Sequence, residues 1–221
     1  MDQNTKKFNV AKAVIEYIHN DCILGMGTGS TVNFLIEMLP DVRNKISGIA
    51  SSSLETERLL KSKGFDVQPL SDFGNMDLYI DGADEATKNL HLIKGGGGAL
   101  TREKIIASSS RKFICIIDDS KLVDKLGQFP LPIEVIPMAR SYVSREIIAR
   151  KGQPIFRENF ITDNGNEIID VHNLDIVNPL TMEDNINQIT GVVTVGLFAK
   201  RKADILLFSN DDGVSEIRTE K

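Results

Sequence analysis

The chain has 221 residues and a net charge of −5 with neutral histidines. This mildly acidic balance, with 6 % aromatic residues and no tryptophan, leaves little material for phosphate neutralisation or base stacking, so we expect no nucleic-acid partner. No stretch approaches the ~18 apolar residues that cross a bilayer. Cys22 and Cys115 each lie in an apolar run, which is typical of buried thiols in a reducing compartment. We therefore expect a cytoplasmic protein without a membrane partner.

Apolar periodicity in the first half predicts helices that alternate with short strands. The predicted helices are 8–19, 32–39, 54–63 and 99–108, and the predicted strands are 22–25, 46–50, a stretch after Gly64, 78–81, 90–93 and 113–117. Such alternation implies parallel strands joined by crossover helices. The predicted fold class is therefore α/β, with a doubly wound, mostly parallel, Rossmann-like sheet.

The pattern changes at residues 129–137, where three prolines are not expected to continue a helix or a central strand. Beyond this point we predict helices at 141–151 and 182–189, a hairpin across 160–171 with Asn164-Gly165 as its turn, and strands at 192–197 and 203–209. We therefore divide the chain into an α/β catalytic domain, residues 1–130 plus 203–221, and a smaller α+β domain, residues 131–202. The smaller domain is assigned to cleft shaping or subunit contact.

The segment Gly25-Met-Gly-Thr-Gly-Ser-Thr31 follows a predicted strand and opens a predicted helix. Its small residues let amides at the helix N-terminus approach an anion, as in a phosphate cradle. A tight turn with Ser30 or Thr31 as helix N-cap explains the pattern equally well. A dinucleotide site fits less well, because the next strand ends in Ser51-Ser-Ser53 rather than in an acid. That triple serine can cap the following helix or bind a phosphate oxygen, and capping is favoured.

Asp81, Asp84 and Glu85 lie at the C-terminal end of another predicted strand, at the edge where open α/β sheets bind ligands. Turn and N-cap roles are the alternative for each of them. A calcium loop is excluded, because the sixth residue counted from Asp81 is Ala86 rather than glycine. The three histidines are dispersed and no Cys or His pair has metal-ligand spacing, so we expect the histidines to be surface or structural residues. A magnesium site at these carboxylates stays open but has no positive support.

Four consecutive glycines at 95–98 cost backbone entropy that a simple connector does not require. Their amides can form a concave donor surface between Lys94 and Glu103. Taken singly, Lys94 is explained as a solvated flank and Glu103 as a favourable charge near a helix N-terminus. Lys121 follows a further strand and is either a phosphate ligand or a solvated lysine. Several such junctions at one sheet edge favour a ligand site.

Seven segments together resemble ribose-5-phosphate isomerase of type A. They are GMGTGST at 25–31, SSS at 51–53, DGADE at 81–85, KGGGGALTREK at 94–104, PLPIEVIPMA at 130–139, TDNGN at 162–166 and GVVTVGLF at 191–198. These segments span nearly the whole chain, and their combination is specific although a single glycine motif is not. Gly98 is the one visible departure, since alanine is expected there in many relatives. The glycine adds flexibility and removes no functional group.

The resemblance implies a cofactor-free, metal-free aldose-ketose isomerase. Such an enzyme interconverts D-ribose 5-phosphate and D-ribulose 5-phosphate through an enediolate in the non-oxidative pentose phosphate pathway, usually as a homodimer or larger oligomer; we expect a homodimer. The resemblance also implies that Glu103 is the catalytic base and that Asp81, Asp84 and Lys94 act on the sugar. The implied substrate-binding residues are Thr28, Gly29, Ser30, Thr31, Asp81, Gly82, Ala83, Asp84, Lys94, Gly95, Gly96, Gly97 and Lys121.

Two other classes of function use similar elements. A sugar-phosphate sensor without catalysis needs a DNA-reading module, and both the short stretch before the first predicted helix and the charge of −5 argue against one. A related sugar-phosphate isomerase, lactonase or deaminase is the rival among enzymes. An assay with the competing substrates separates these possibilities.

Overall fold

The computed structural model describes residues 1–218, which form two compact units. The first unit comprises residues 1–83, 102–122 and the chain from 203 onwards, and the second comprises residues 84–101 and 123–202. Within the described residues the α-helices are Gln3–Val14 (α1), Ser30–Met38 (α2), Leu54–Ser62 (α3), Leu100–Ser108 (α4), Arg140–Ala149 (α5) and Pro179–Asn187 (α6). Short 3₁₀ helices lie at Ile15–Tyr17, Leu39–Lys45, Leu70–Asp72, Asp119–Lys121 and Pro137–Ala139.

The strands build three sheets. They are Cys22–Met26 (β1), Ile46–Ser51 (β2), Met76–Asp81 (β3), Glu85–Ala86 (β4), Leu92–Ile93 (β5), Ser110–Asp118 (β6), Leu131–Val135 (β7), Gln153–Phe156 (β8), Glu167–His172 (β9), Val192–Val195 (β10), Leu197–Phe198 (β11), Ile205–Asn210 (β12) and Gly213–Arg218 (β13). The sheet of the first unit has the order β13-β12-β6-β3-β1-β2. Its strands are parallel except for β13, which pairs antiparallel with β12. The predicted α/β fold class is confirmed.

The direction of winding in this sheet reverses at β1, because β2 lies on one side of it and β3 on the other. Ligands of doubly wound sheets bind outside the carboxyl ends of the strands at such a reversal. Apolar side chains from α1, α2 and the central strands, among them Val14, Leu35 and Leu24, form the core that supports it. The residues following β1 and β3 are therefore held on a buried framework.

Two details of the first unit differ from the predictions. Helix α1 begins at Gln3 rather than at residue 8, because the Asp2 carboxylate accepts the N–H of Thr5 at 3.0 Å and caps the helix. No strand forms after Gly64 within the described residues. Gln68 N–H donates to the Ile49 carbonyl at 2.9 Å, but Pro69 follows and cannot donate to a continuing ladder.

The second unit has a four-stranded antiparallel sheet, β10-β7-β9-β8, and a three-stranded sheet, β11-β5-β4. The strand predicted at 90–93 is β5, which pairs antiparallel with β4 and β11. The expectation that it joins a parallel sheet is therefore wrong. Leu90 has a φ of +67° and belongs to the turn that reverses the chain between β4 and β5.

Part of the proline-containing segment 129–137 forms a central strand, so the prediction that it would not is wrong. Strand β7 contains Pro132 and pairs with both β9 and β10. The Pro132 carbonyl accepts the N–H of Gly196 at 2.7 Å, and in a strand the N–H of a residue points to the same side as its carbonyl. The missing N–H of Pro132 would point toward Gly196, which lies just beyond the end of β10 at Val195. The proline therefore removes no hydrogen bond from the β7-β10 ladder.

The predicted hairpin also differs in its first strand. Its second strand is β9, but β9 pairs with β8 at 153–156 rather than with residues near 160. The Asn164-Gly165 turn lies in the connection between them, where Gly165 has a φ of +79° and Thr162 N–H donates to the Asn166 carbonyl at 2.9 Å. The turn residues were correctly located, whereas the strand before them was not.

The two compact units differ from the predicted domains in residues 84–101 and 123–130. These segments join the second unit because β4 and β5 pair with β11 and because the Glu85 carboxylate accepts the N–H groups of Gly127 at 2.7 Å and Phe129 at 2.5 Å. Among the helices of residues 1–218, none has both the length and the apolar character needed to cross a membrane.

Candidate active site

The carboxyl ends of β1 and β3 meet at the reversal point of the first unit. Gly27 N–H donates to the Ile80 carbonyl at 2.8 Å. The fully buried Asp81 carboxylate accepts the N–H of Thr28 at 3.0 Å and that of Gly82 at 2.7 Å. Tyr79 donates its hydroxyl to the same carboxylate. Three donors from two strand ends therefore fix the orientation of Asp81.

Helix α2 begins immediately after this contact. Its N-cap is Gly29, with a φ of +125°, and no side chain caps the helix. The alternative of an N-cap at Ser30 or Thr31 is therefore wrong. Ser30 Oγ instead accepts a hydrogen bond from Lys7 Nζ at 3.0 Å. The first-turn amides, with a cation beside them, are suited to bind an anion.

A cluster of hydroxyl groups packs beneath this helix start. Thr28 Oγ1 donates to Ser53 Oγ at 2.8 Å and lies 3.0 Å from Ser52 Oγ. Ser53 Oγ accepts the N–H of Thr56 at 3.1 Å as the N-cap of α3, so the predicted capping role of the triple serine is confirmed. Thr56 Oγ1 donates to the Gly27 carbonyl at 2.9 Å. The cluster thus holds both sides of the glycine turn.

Glu103 lies in the first turn of α4 and is only 4 % exposed. The nearby Tyr79 is fully buried, and burial raises the pKa of Tyr79 well above its usual value, with further contributions from the charges of Asp81 and Glu103. Tyr79 therefore stays protonated and donates a hydrogen bond to Asp81. The first unit brings Asp81 and Glu103 around Tyr79, which is not among the predicted site residues.

Lys121 and the pair Gly82 and Ala83 complete the predicted residues of the first unit. Lys121 ends the 3₁₀ helix that follows β6 and is half-buried. Because β6 is the parallel neighbour of β3, Lys121 lies after the carboxyl end of β6, at the same edge of the sheet as Asp81. Gly82 and Ala83 follow directly after β3 and are half-buried.

The glycine tract lies in the second unit and forms a tight turn. Gly98 N–H donates to the Gly95 carbonyl at 2.9 Å, and these two glycines have φ values of +82° and +104°. Asp84 Oδ2 accepts the N–H of Gly96 at 2.8 Å. Gly96 and Gly97 are exposed at the tip of the turn. The aspartate thus holds the tract by one of its amides.

Arg157 holds the tract by its carbonyls. Its Nη1 donates to the Gly95 carbonyl at 3.2 Å and to the Gly96 carbonyl at 3.1 Å. Its Nε and Nη2 donate to the Asp170 carboxylate at 2.8 and 2.5 Å, so the guanidinium has a fixed orientation. Its carbon Cζ lies 5.3 Å from the Phe160 ring centroid. Neither Arg157 nor Phe160 was selected from the sequence, where no local motif marks them.

Lys94 is buried, with 2 % exposure, rather than a solvated flank. Its N–H donates to the Gly196 carbonyl at 2.9 Å, and its Nζ lies 5.7 Å from the ring centroid of Phe198. Burial of an ammonium group is costly unless other groups compensate it. A buried lysine beside a glycine tract is therefore a candidate functional group.

The predicted residues are divided between the units. Those of the first unit are Thr28, Gly29, Ser30, Thr31, Asp81, Gly82, Ala83, Glu103 and Lys121, and those of the second are Asp84, Lys94, Gly95, Gly96 and Gly97. Glu85, the third carboxylate of its segment, binds backbone N–H groups of residues 127 and 129. Its role is structural, but it is neither the turn nor the N-cap role given as the alternative, because its carboxylate binds a loop that is distant in the sequence.

Comparisons with known proteins identify the family of the chain. The family model of ribose 5-phosphate isomerase A (phosphoriboisomerase A) matches residues 48–213. The chain is similar to the Neisseria gonorrhoeae ribose 5 phosphate isomerase A, with 45 % identity, a TM-score of 0.97, and coverage of 100 % of this chain and 99 % of that one. It is also similar to the Methanocaldococcus jannaschii ribose 5-phosphate isomerase A, with 35 % identity, a TM-score of 0.91, and coverage of 97 % and 99 %.

A third similar structure is a D-ribose-5-phosphate isomerase in complex with phospho-erythronic acid. It shares 37 % identity and a TM-score of 0.94, with coverage of 99 % of this chain and 100 % of that one. Both the family match and these identities extend over most of the chain. The chain therefore belongs to the ribose 5-phosphate isomerase A family.

Proposed function

We propose that this chain interconverts D-ribose 5-phosphate and D-ribulose 5-phosphate by proton transfer through an enediolate, with Glu103 as the base. Family membership makes the chain an aldose-ketose isomerase of the pentose phosphate pathway. The observation that carries this function is 45 % identity to such an isomerase across the full chain. The support for the base is a buried carboxylate in the first turn of α4, beside the aspartate-tyrosine pair.

The proposed proton transfer uses two kinds of group. Glu103 removes the proton from C2 of the open-chain sugar and returns it to C1, while Lys94 and amides of the glycine tract bind the charge that develops on oxygen. A positioned base contributes about 10²- to 10⁴-fold in rate, and one oxyanion donor contributes about 3 kcal/mol. Neither is sufficient alone, so the reaction requires both.

The other groups hold the sugar. Asp81, whose carboxylate orientation is fixed by three donors, assists opening of the furanose ring. Asp84 binds hydroxyls and moves a proton between O1 and O2. Residues Thr28–Thr31 and Lys121 bind the phosphate, with the uncapped start of α2 as its anion site. Holding the phosphate keeps a short substrate in register and lowers the entropic part of the barrier.

The substrate is tested by one comparison of rates. We expect turnover with ribose 5-phosphate and none with glucosamine 6-phosphate or phosphogluconolactone in coupled assays. Exhaustive EDTA treatment is expected to leave the rate unchanged, since no proposed step uses a metal ion. Faster turnover of either competitor contradicts the assigned substrate, and a loss restored by Mg²⁺ or Mn²⁺ contradicts the metal-free mechanism.

The base is tested by replacing Glu103 with glutamine, which keeps its size. We expect Glu103→Gln to lose about 10²- to 10⁴-fold in kcat while still binding a sugar phosphate, and to stop incorporating solvent deuterium into the sugar. Glu55→Gln is the matched control, because Glu55 also lies in the first turn of a nine-residue helix but is exposed. Near-normal turnover of Glu103→Gln refutes the assigned base.

The assembly and location are part of the proposal. A homodimer is supported by large apolar side chains exposed on the second unit, including Met138 at 95 % and Val177 at 76 %. A cytoplasmic location is supported by the buried thiols of Cys22 and Cys115, which form no disulfide. Sedimentation equilibrium of the untagged chain is expected to give twice the monomer mass.

A further inference from the structure

Three side chains of different chemistry meet at the end of the first unit's sheet opposite to Thr28 and Asp81. They are His19, Cys22 and Asp77, whose ligand atoms all lie within 4.8 Å of one another. Cys22 opens β1 and Asp77 is the second residue of its parallel neighbour β3. The group therefore lies at the amino ends of the strands whose carboxyl ends lead to Thr28 and Asp81. It has no part in the proposed isomerisation.

Existing hydrogen bonds already orient two of these side chains. Asp77 Oδ2 accepts the N–H of Ile23, the residue after Cys22, at 3.0 Å. His19 Nδ1 lies 2.8 Å from the carbonyl of Asn20, and this contact favours the tautomer with hydrogen on Nδ1 and a lone pair on Nε2. Histidines that bind metal ions commonly donate their second ring nitrogen to a carbonyl or carboxylate in this way.

We propose that His19, Cys22 and Asp77 form a binding site for a divalent transition-metal ion of the zinc class. A thiolate, an imidazole and a carboxylate are the three side-chain ligands that Zn²⁺ takes, whereas Mg²⁺ and Ca²⁺ prefer all-oxygen sites. A water molecule is the fourth ligand. On binding, the metal-sulfur bond replaces the S–H bond of Cys22, and the proton leaves to solvent.

The geometry needs a small contraction to form this site. Metal-ligand distances of about 2.0–2.3 Å in a tetrahedron place the ligand atoms about 3.5 Å apart. His19 is exposed, on the short connection between the 3₁₀ helix Ile15–Tyr17 and β1, so its ring can move inward. Arg111 Nη1 lies 3.4 Å from Asp77 Oδ1, but its side chain is 71 % exposed and can turn away into solvent.

The group combines a buried thiol with a carboxylate. Burial and the charge of Asp77 raise the pKa of Cys22 to about 12. A divalent ion compensates the charges of both thiolate and carboxylate. Cys115, the second cysteine, is also buried and forms no disulfide, and it belongs to no comparable group within residues 1–218. It therefore serves as an internal control.

Cobalt provides a direct spectroscopic test. The untagged chain is stripped with a chelator, dialysed and titrated with Co²⁺. We expect one ion per chain with a thiolate-to-cobalt charge-transfer band in the near ultraviolet, which Zn²⁺ displaces. The band is expected in Cys115→Ser and absent in Cys22→Ser. Turnover of ribose 5-phosphate is expected to stay the same with and without the ion, which separates this test from that of the proposed function.

Variants of the other two ligands test the site even if Cys22→Ser does not fold. His19→Ala removes an exposed ligand and is expected to weaken Co²⁺ binding about tenfold or more without lowering the unfolding temperature of the metal-free chain. Asp77→Asn is expected to weaken it similarly. Absence of the band in the native chain, its persistence in Cys22→Ser, or equal Co²⁺ affinities of the native chain and His19→Ala overturns the proposal.

Discussion

The two glycine-rich segments of the chain look alike in the sequence but are held in different ways. In the first unit, residues 25–31 bind to the buried Asp81 and to hydroxyl groups beneath them, and the start of α2 has no side-chain cap. In the second unit, the tract 95–98 has one amide bound by Asp84 and two carbonyls bound by Arg157. Each segment uses an aspartate as acceptor. Among the described contacts, a cationic side chain binds backbone carbonyls only in the second segment.

This difference indicates what each segment contributes. The first offers free N–H groups at a helix start, which is the geometry that binds a phosphate. The second is fixed on both its donor and acceptor sides, which suits a backbone that must meet a reacting oxygen with small positional error. Two kinds of substitution test these separate roles of the two segments. One adds a methyl group to a glycine, and the other removes a side chain that holds the segment in place.

The largest effect is expected from Gly27→Ala in the first segment. A Cβ at this position would overlap the carboxylate of Asp81, so the aspartate must leave the three donors that orient it. We expect turnover to fall about 100-fold or more, since a misplacement of about 1 Å in an active site has that cost. Initial rates with ribose 5-phosphate, together with circular dichroism for the fold, provide the measurement.

Gly74→Ala is the matched control for this change. Gly74 lies in the same unit, and a Cβ there would meet nothing within 4 Å. It is expected to retain the native rate. A folded Gly27→Ala variant with native turnover would show that the position of Asp81 does not matter for the reaction.

The next largest effect is expected from Arg157→Met in the second segment. The substitution removes the donors to the Gly95 and Gly96 carbonyls and leaves Asp170 without its bidentate partner. We expect kcat to fall about tenfold, because the tract loses its fixed position, and the free energy of unfolding to fall by about 1–3 kcal/mol. Steady-state kinetics and urea unfolding measure the two effects separately.

Arg140→Met is the control that separates loss of the Arg157 contacts with the glycine tract from the loss of any arginine paired with a carboxylate. Arg140 also pairs with a carboxylate, that of Glu167 at 3.2 Å, and its Cζ lies 4.3 Å from the Phe156 ring centroid. Its described hydrogen bonds do not involve the glycine tract. We expect a loss of stability with native kcat, and an equal kcat loss in both variants contradicts a specific role for Arg157.

A smaller effect is expected from Gly98→Ala. Alanine was expected here in relatives, and glycine was predicted only to add flexibility. The structure gives a different reason, because Gly98 has a φ of +82° and a Cβ would overlap the Phe160 ring. We expect a loss of several-fold in kcat and about 1–3 kcal/mol in stability, measured by steady-state kinetics and urea unfolding.

The role of the aromatic ring is tested by a second substitution. Adding Phe160→Leu to Gly98→Ala is expected to recover part of the loss, since the smaller side chain makes room for the methyl group. Gly74→Ala is again the control, because Gly74 lies outside the site and a Cβ at that position meets nothing within 4 Å. A double variant no better than Gly98→Ala assigns the loss to backbone conformation rather than to Phe160.

Local pattern and topology together predicted the fold and part of the site. The alternation of helices and strands placed the residues after β1 and β3 at one sheet edge, and Thr28 and Asp81 do share a hydrogen bond there. The same alternation failed at residues 90–93, because periodicity identifies a strand but not the strand with which it pairs. Pro132 is a second case, because its missing N–H weakens a sheet only where the neighbouring strand extends past it. The sequence does not show where that neighbouring strand ends.

The unpredicted contacts join residues that are far apart in the sequence. Arg157 lies about 60 positions from the glycine carbonyls it binds, and Asp77 is 54 positions from the Ile23 amide beside Cys22. No spacing rule connects such residues, because the folded strands bring them together. Lys7 is a similar case, since an adjacent pair of lysines at the chain start has no local signature.

The smallest effect is expected from Lys7→Met, which tests the free end of the first segment. Lys7 Nζ donates to Ser30 Oγ at 3.0 Å beside the uncapped start of α2. We expect KM for ribose 5-phosphate to rise about fivefold with kcat unchanged, because an exposed charge contributes about 1 kcal/mol or less and acts on binding alone. The KM difference is expected to shrink at high salt. Lys12→Met, at an exposed position of the same helix, is expected to leave KM unchanged, and a fall in kcat instead of a rise in KM would assign Lys7 to the chemistry rather than to the phosphate.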